Sequence, residues 1–120
     1  FDVAKLLQQQ HIIAWSAGAM TLGQRIVLFH DRTPEGRRDP ELLSTGLGLL
    51  PGRIILPDAR RRLRTKDPIR VGLFARRFAP ATCTLLNNES LLRFDDNVLT
   101  SAEQANRLKP NGSIGLVSAL

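Results

Sequence analysis

The run Ile12-Ile13-Ala14-Trp15-Ser16-Ala17-Gly18-Ala19-Met20 constrains this chain more than any other stretch. Two β-branched apolar residues lead into a serine with small neighbours, and the residues after it can continue as a helix. Ser16 therefore falls where a buried strand is expected to turn sharply into a helix. Such a turn crowds backbone atoms against the flanks of the serine, so only small side chains fit there. Its Oγ and the next backbone N–H then face the open end of the sheet. Ala17, Gly18 and Ala19 meet the requirement, and Ala14 stands where a glycine is usual. This is the pattern of a nucleophile elbow, with a serine that merely caps a helix as the bland alternative.

Elements on either side can be read from spacing. Phe1 to Gln10 reads as a helix, with Val3, Leu6, Leu7 and Gln10 on one face. The chain opens on Phe1, inside that helix, and a helix running straight into a buried strand suggests that earlier strands are missing, as in a fragment or processed product. His11 to Trp15 reads as a short strand buried on both faces, and Arg25 to Phe29 as a second strand ending at His30 and Asp31. If the two strands are parallel, His30 and Asp31 share an edge with Ser16, and His11 lies at the opposite one. Pro34, Gly36 and Pro40 make 32–41 a loop long enough for a lid.

Gly46 to Gly52 leads into a strand over 53–56, ended by Pro57, with Asp58 expected to cap a basic helix from Ala59 to about Arg64. Pro68 to Phe78 has the spacing of an amphipathic helix with proline in its first turn. Ala81 to Leu86 and Ser90 to Phe94 read as a hairpin around Asn87-Asn88-Glu89, and Asp95-Asp96-Asn97 as a further turn. The stretch 98–108 is ambiguous, and a closing strand is expected over 113–117 after the turn Lys109 to Gly112.

Composition narrows the function classes. A chain of 120 residues, 42% hydrophobic and 23% charged, suits one globular domain, and no apolar run approaches the roughly 20 residues of a membrane span. A cytoplasmic setting without membrane attachment is expected. The single Cys83 excludes an internal disulfide and reads as a core thiol. Seventeen Lys plus Arg against eleven acids give a net charge of +6, concentrated in Arg60, Arg61, Arg62, Arg64, Arg76 and Arg77. With few aromatics and no accompanying motif, this favours a solvated basic face over nucleic-acid binding.

Taken together, Ala14-Trp15-Ser16-Ala17-Gly18-Ala19, Gly46-Leu47-Gly48-Leu49-Leu50-Pro51-Gly52 and Leu56-Pro57-Asp58-Ala59-Arg60 resemble the dipeptidase E and cyanophycinase family of serine peptidases. The resemblance covers nearly all of this chain but only the C-terminal half of a family member. It implies an α/β fold: the C-terminal part of a three-layer class I glutamine amidotransferase-like sandwich, with a mostly parallel sheet and a C-terminal β-hairpin region. Residues 1–120 would be that half-domain, without the family's N-terminal strands. It also implies Ser16 as nucleophile, Ala17 N–H as one oxyanion donor and Asp31 as an acidic site residue. The family's general-base histidine corresponds to Asp58, and the acid that orients it to Asn88, with Glu89 adjacent.

Those departures shape the expected chemistry. Serine attack needs a base poised near neutral pH that later returns the proton to the leaving amine, and imidazole, with a pKa of about 6.5, does both. An exposed Asp, with a reference value of about 3.9, holds its proton too weakly. His30 is then the nearest substitute base. Two readings stay open: a serine hydrolase acting on small peptides or amides, and a non-catalytic descendant serving as a binding or assembly module. In the hydrolase reading the basic segment, Arg60 foremost, favours an acidic substrate group. An amidotransferase-like or lyase activity would want cysteine at the elbow. No metal or other cofactor is implied, and the partners left open are a homo-oligomeric copy or a complementing N-terminal chain.

Overall fold

The structure is a computed structural model that describes residues 2–28 and 41–118. The first helix, α1 (Val3–Leu7), is capped by Asp2, whose Oδ1 accepts from the Lys5 N–H at 3.1 Å. None of its side chains is buried. His11 to Trp15 then runs without regular structure, and Ile13 and Trp15 are 88% and 76% exposed. The expected buried strand is absent because no described strand pairs with this segment, and an unpaired strand leaves its backbone polar groups without partners.

α2 (Ser16–Thr21) comes next, and β1 (Arg25–Leu28) pairs antiparallel with β2 (Glu41–Thr45) as a separate two-stranded sheet. Gly46 fixes the junction. Its N–H donates to the Gln24 carbonyl at 2.9 Å, and a Cβ there would strike the Gly23 carbonyl, so only glycine fits.

The centre of the molecule is a four-stranded sheet in the order β3-β4-β7-β8, formed by Arg53–Pro57, Thr82–Leu86, Asn106–Leu108 and Ile114–Leu116. Only β3 and β4 are parallel. Their register runs from Arg53 opposite Thr82 to Pro57 opposite Leu86. They are joined by a crossover that holds α3 (Ala59–Arg62) and α4 (Pro68–Phe78), as a parallel pair requires. β7 joins β4 antiparallel, and β8 joins β7 likewise. β5 (Leu91–Asp95) and β6 (Val98–Glu103) form a separate hairpin, in which Asp96 and Asn97 both have positive φ, 50° and 64°. That is the two-residue turn whose twist suits a hairpin.

This topology corrects two expectations. The mostly parallel three-layer amidotransferase-like sandwich is overturned: the described residues form a small mixed α/β domain with antiparallel and mixed sheets and four short helices, of which only α4 exceeds two turns. The expected hairpin of 81–86 with 90–94 is also overturned, since β4 pairs with β3 and β7 while β5 pairs with β6. Residue periodicity shows that a segment is extended, whereas its partner depends on which face must be covered.

Two apolar clusters flank the central sheet. Ile54, Leu56, Cys83, Leu85 and Leu108 pack with Val71, Ala75 and Phe78 of α4 and Met20 of α2. Val71, Ala75 and Phe78 recur at helical spacing, and Asp67 caps α4 by accepting from the Ile69 and Arg70 N–H groups. The second cluster gathers Leu99, Ala105 and Val117, with Leu86, Leu92 and Phe94 against them.

Cys83 lies in the first cluster, 1% exposed, and burial pushes its thiol from 9.0 up to about 12. The folded chain keeps a proton that the unfolded chain releases, so this contribution to stability is whole below about pH 9 and is lost as pH rises toward 12. Urea midpoints compared between neutral and alkaline pH are expected to fall more steeply for the native chain than for Cys83→Ala. Parallel falls would contradict the buried thiol.

Candidate functional site

Trp15 is extended, with φ −143° and ψ 165°, and Ser16 then takes φ 52°, in the left-handed region, as the first residue of α2. A non-glycine residue there costs on the order of 1–3 kcal/mol. A Cβ at Gly18 would meet nothing within 4 Å, so the expected crowding against the flank of the serine is not found there. Ser16 is exposed, and its hydroxyl has no hydrogen-bond partner among the described residues. Ala19 N–H donates to the Trp15 carbonyl at 3.2 Å, which closes the first helical turn. Ala17 N–H belongs to the helix-start donors that have no acceptor within the helix, the placement an oxyanion donor needs.

The C-terminal end of α2 is tied to the start of β3, where Gln24 N–H donates to the Arg53 carbonyl at 2.8 Å. At the other end of β3, Asp58 is also left-handed, with φ 53°. Its N–H donates to the Leu86 carbonyl at 2.7 Å, extending the parallel ladder one step past the strands. Its side chain does not cap α3, contrary to expectation. Asp58 Oδ2 instead accepts from Arg61 Nε at 2.7 Å, and Asn87 Oδ1 takes the Arg60 N–H at 3.1 Å. The left-handed backbone of Asp58 turns its carboxylate away from the helix start, and α3 ends at Arg62 rather than Arg64.

Asp58, Arg60, Arg61, Asn87, Asn88 and Glu89 line one open depression of about 290 Å³. Parallel pairing explains this, because both loops leave the carboxyl ends of adjacent parallel strands. The second loop is latched: Asn87 N–H donates to Ser90 Oγ, and the Ser90 hydroxyl donates to the Gln104 carbonyl. The Asp58–Arg61 ion pair is solvent-exposed on both sides, so it orients the carboxylate without adding much stability.

Among the residues expected from the sequence, the depression unites Asp58, Arg60, Asn88 and Glu89, while Ser16 is not part of its lining. His30 and Asp31 lie outside the described residues. His11 is exposed in the segment before Ser16, and no described imidazole bonds to the serine. Asn87 joins the depression without a sequence signal of its own, and Arg61 comes from the basic run read in the sequence. An asparagine directly after a strand marks a turn, but its service to a helix 27 residues earlier arises only from the pairing of β3 with β4. Among the described residues no group of His, Cys, Asp and Glu is arranged to hold a metal ion, and no helix is long and apolar enough to cross a membrane.

No family model matches the chain, and neither a curated protein nor a solved structure matches it.

The backbone at Ser16 carries its own prediction. Ser16→Gly relieves the left-handed strain and is expected to raise unfolding stability by about 1 kcal/mol relative to Ser16→Ala. Equal urea midpoints for the two variants would mean that Ser16 is not held at positive φ.

Proposed function

We propose that this chain is a serine hydrolase of peptidase or amidase type, with Ser16 as nucleophile and Ala17 N–H as an oxyanion donor. The observation that carries the reading is the conformation of Ser16: an exposed serine at positive φ, between an extended residue and the first turn of a helix, with small residues beyond it. A serine that only capped α2 would sit in extended backbone and accept from an N–H of the first turn, and Ser16 does neither. The motifs around Ser16, Gly46 and Asp58 support the same reading through their resemblance to the dipeptidase E and cyanophycinase family. Small peptides or amides are the substrates in this proposal, bound without a cofactor, and Arg60 is the substrate-binding cation. A cytoplasmic setting goes with it, where a lone thiol such as Cys83 stays reduced.

A second reading rests on Asp58, whose carboxylate is engaged by Arg61 at the position where the resemblance calls for a histidine base. In that case the chain is a non-catalytic relative serving as a binding or assembly module. His30 is the base the hydrolase reading retains.

A fluorophosphonate probe separates the two. Labelling at Ser16 that disappears in Ser16→Ala is expected of a hydrolase, and His30→Ala is expected to slow it by several orders of magnitude, up to about 10⁶-fold for loss of a triad histidine. Labelling that appears only after Asp58→His would make the native chain a disabled hydrolase. A folded sample that never labels in either form would remove the basis for the enzyme reading.

A further inference from the structure

The face of the central sheet opposite α4 carries an unbalanced cluster of cations. Ile55, Thr84, Arg107 and Gly115 are directly paired in turn across β3, β4, β7 and β8, so their side-chain positions share one face. Arg53 lies on that face because it stands two residues before Ile55. Its Nη1 donates to Thr84 Oγ1 at 3.4 Å, and its guanidinium sits 5.7 Å from the centroid of the Phe94 ring. Thr84 is fully buried beneath it. Arg107 stands across from Thr84, and both burial and the charge of Arg107 lower the pKa of Arg53.

A third cation lies on the same face, two residues after Arg107 and on the β8 side of it. A Cβ at Gly115 would lie 3.0 Å from Lys109 Nζ and closer still to its Cε, so the Lys109 side chain lies flat where a larger residue would project. Glycine at 115 is what allows this. None of Arg53, Arg107 and Lys109 has a carboxylate partner among the described residues. Asp95, Asp96 and Glu103 of the neighbouring hairpin make no ion pair with them.

Such an arrangement is costly unless something else uses it. Like charges repel, and a half-buried guanidinium normally finds an acid. Here Arg53 is held in place by a ring and a hydroxyl, neither of which neutralises it. Two guanidinium forks on one sheet face, with an ammonium flanking Arg107, suit a multiply charged oxyanion, which accepts several charge-assisted hydrogen bonds at once. We propose that Arg53 and Arg107, flanked by Lys109 on the same face of the sheet, form a binding site for the phosphate group of a small phosphorylated ligand. The site is independent of Ser16 and of the depression at Asp58.

Isothermal titration of the full chain with inorganic phosphate tests this, with chloride at matched ionic strength as reference. Saturable phosphate binding is expected, weakened about tenfold by Arg107→Gln or Lys109→Gln and unchanged by Lys5→Gln, an exposed cation of α1 outside the cluster. Gly115→Ala is expected to weaken it as well, by displacing Lys109. Arg107 is exposed, so its variant should fold, and Lys109→Gln carries the test if it does not. Absence of saturable binding would overturn the proposal. So would binding that survives undiminished in these variants, or that falls equally in Lys5→Gln.

Discussion

The parallel pairing of β3 with β4 is the constraint on which the rest of the molecule depends. It is a short ladder, five residues a side, extended by the Asp58 N–H bond to the Leu86 carbonyl. Parallel strands cannot be joined by a tight turn, so the pairing demands a crossover, and α3 and α4 supply it. α4 then lies over Ile54, Leu56, Cys83 and Leu85, while β5 and β6 cover part of the other face. Covering both faces of β3 takes apolar surface out of water at about 25 cal/mol per Å², the largest favourable term available to a domain of this size.

The same pairing organises the chemistry. It brings the loops after two adjacent parallel strands side by side, so Asp58 and Asn87 meet although they are far apart in the chain. Asn87 caps the helix that Asp58 begins, and Asp58 is freed to hold Arg61. On the opposite face the register places Arg107 across from Thr84, where Arg53 already lies. α2 is attached to the start of β3 through Gln24, and Ser16 opens that helix in a strained conformation. Strain of this kind persists only where surrounding packing over-determines it, and Ala19 and Met20, both buried, provide that anchor.

Local features were legible in the sequence wherever a residue dictates its own backbone. Pro68 to Phe78 is a helix over the span that its spacing and its leading proline indicate. Asp96-Asn97 turns as such a pair should, and Arg53 to Pro57 is a buried strand. Pairing was not legible. Ala81 to Leu86 next to Asn87-Asn88-Glu89 looks like half a hairpin, because nothing local distinguishes a tight turn from a loop latched by Ser90 to Gln104. Ile12 and Ile13 look like strand residues yet stand exposed, since an apolar run becomes a strand only when an edge receives it. Within the candidate site, Ser16 and Asp58 stood out as chemistry-bearing residues, whereas Asn87 and the cluster at Arg107 depend on register and could not be seen in one dimension.

Backbone nuclear Overhauser contacts in the isotopically labelled protein test the central pairing most directly. The structure predicts parallel contacts between Ile55 and Thr84 and between Arg53 and Thr82, together with antiparallel contacts between Thr84 and Arg107. Antiparallel contacts between 82–86 and 90–94 would instead show a local hairpin. That result would separate Asp58 from Asn87, dissolve the cation cluster and contradict the account.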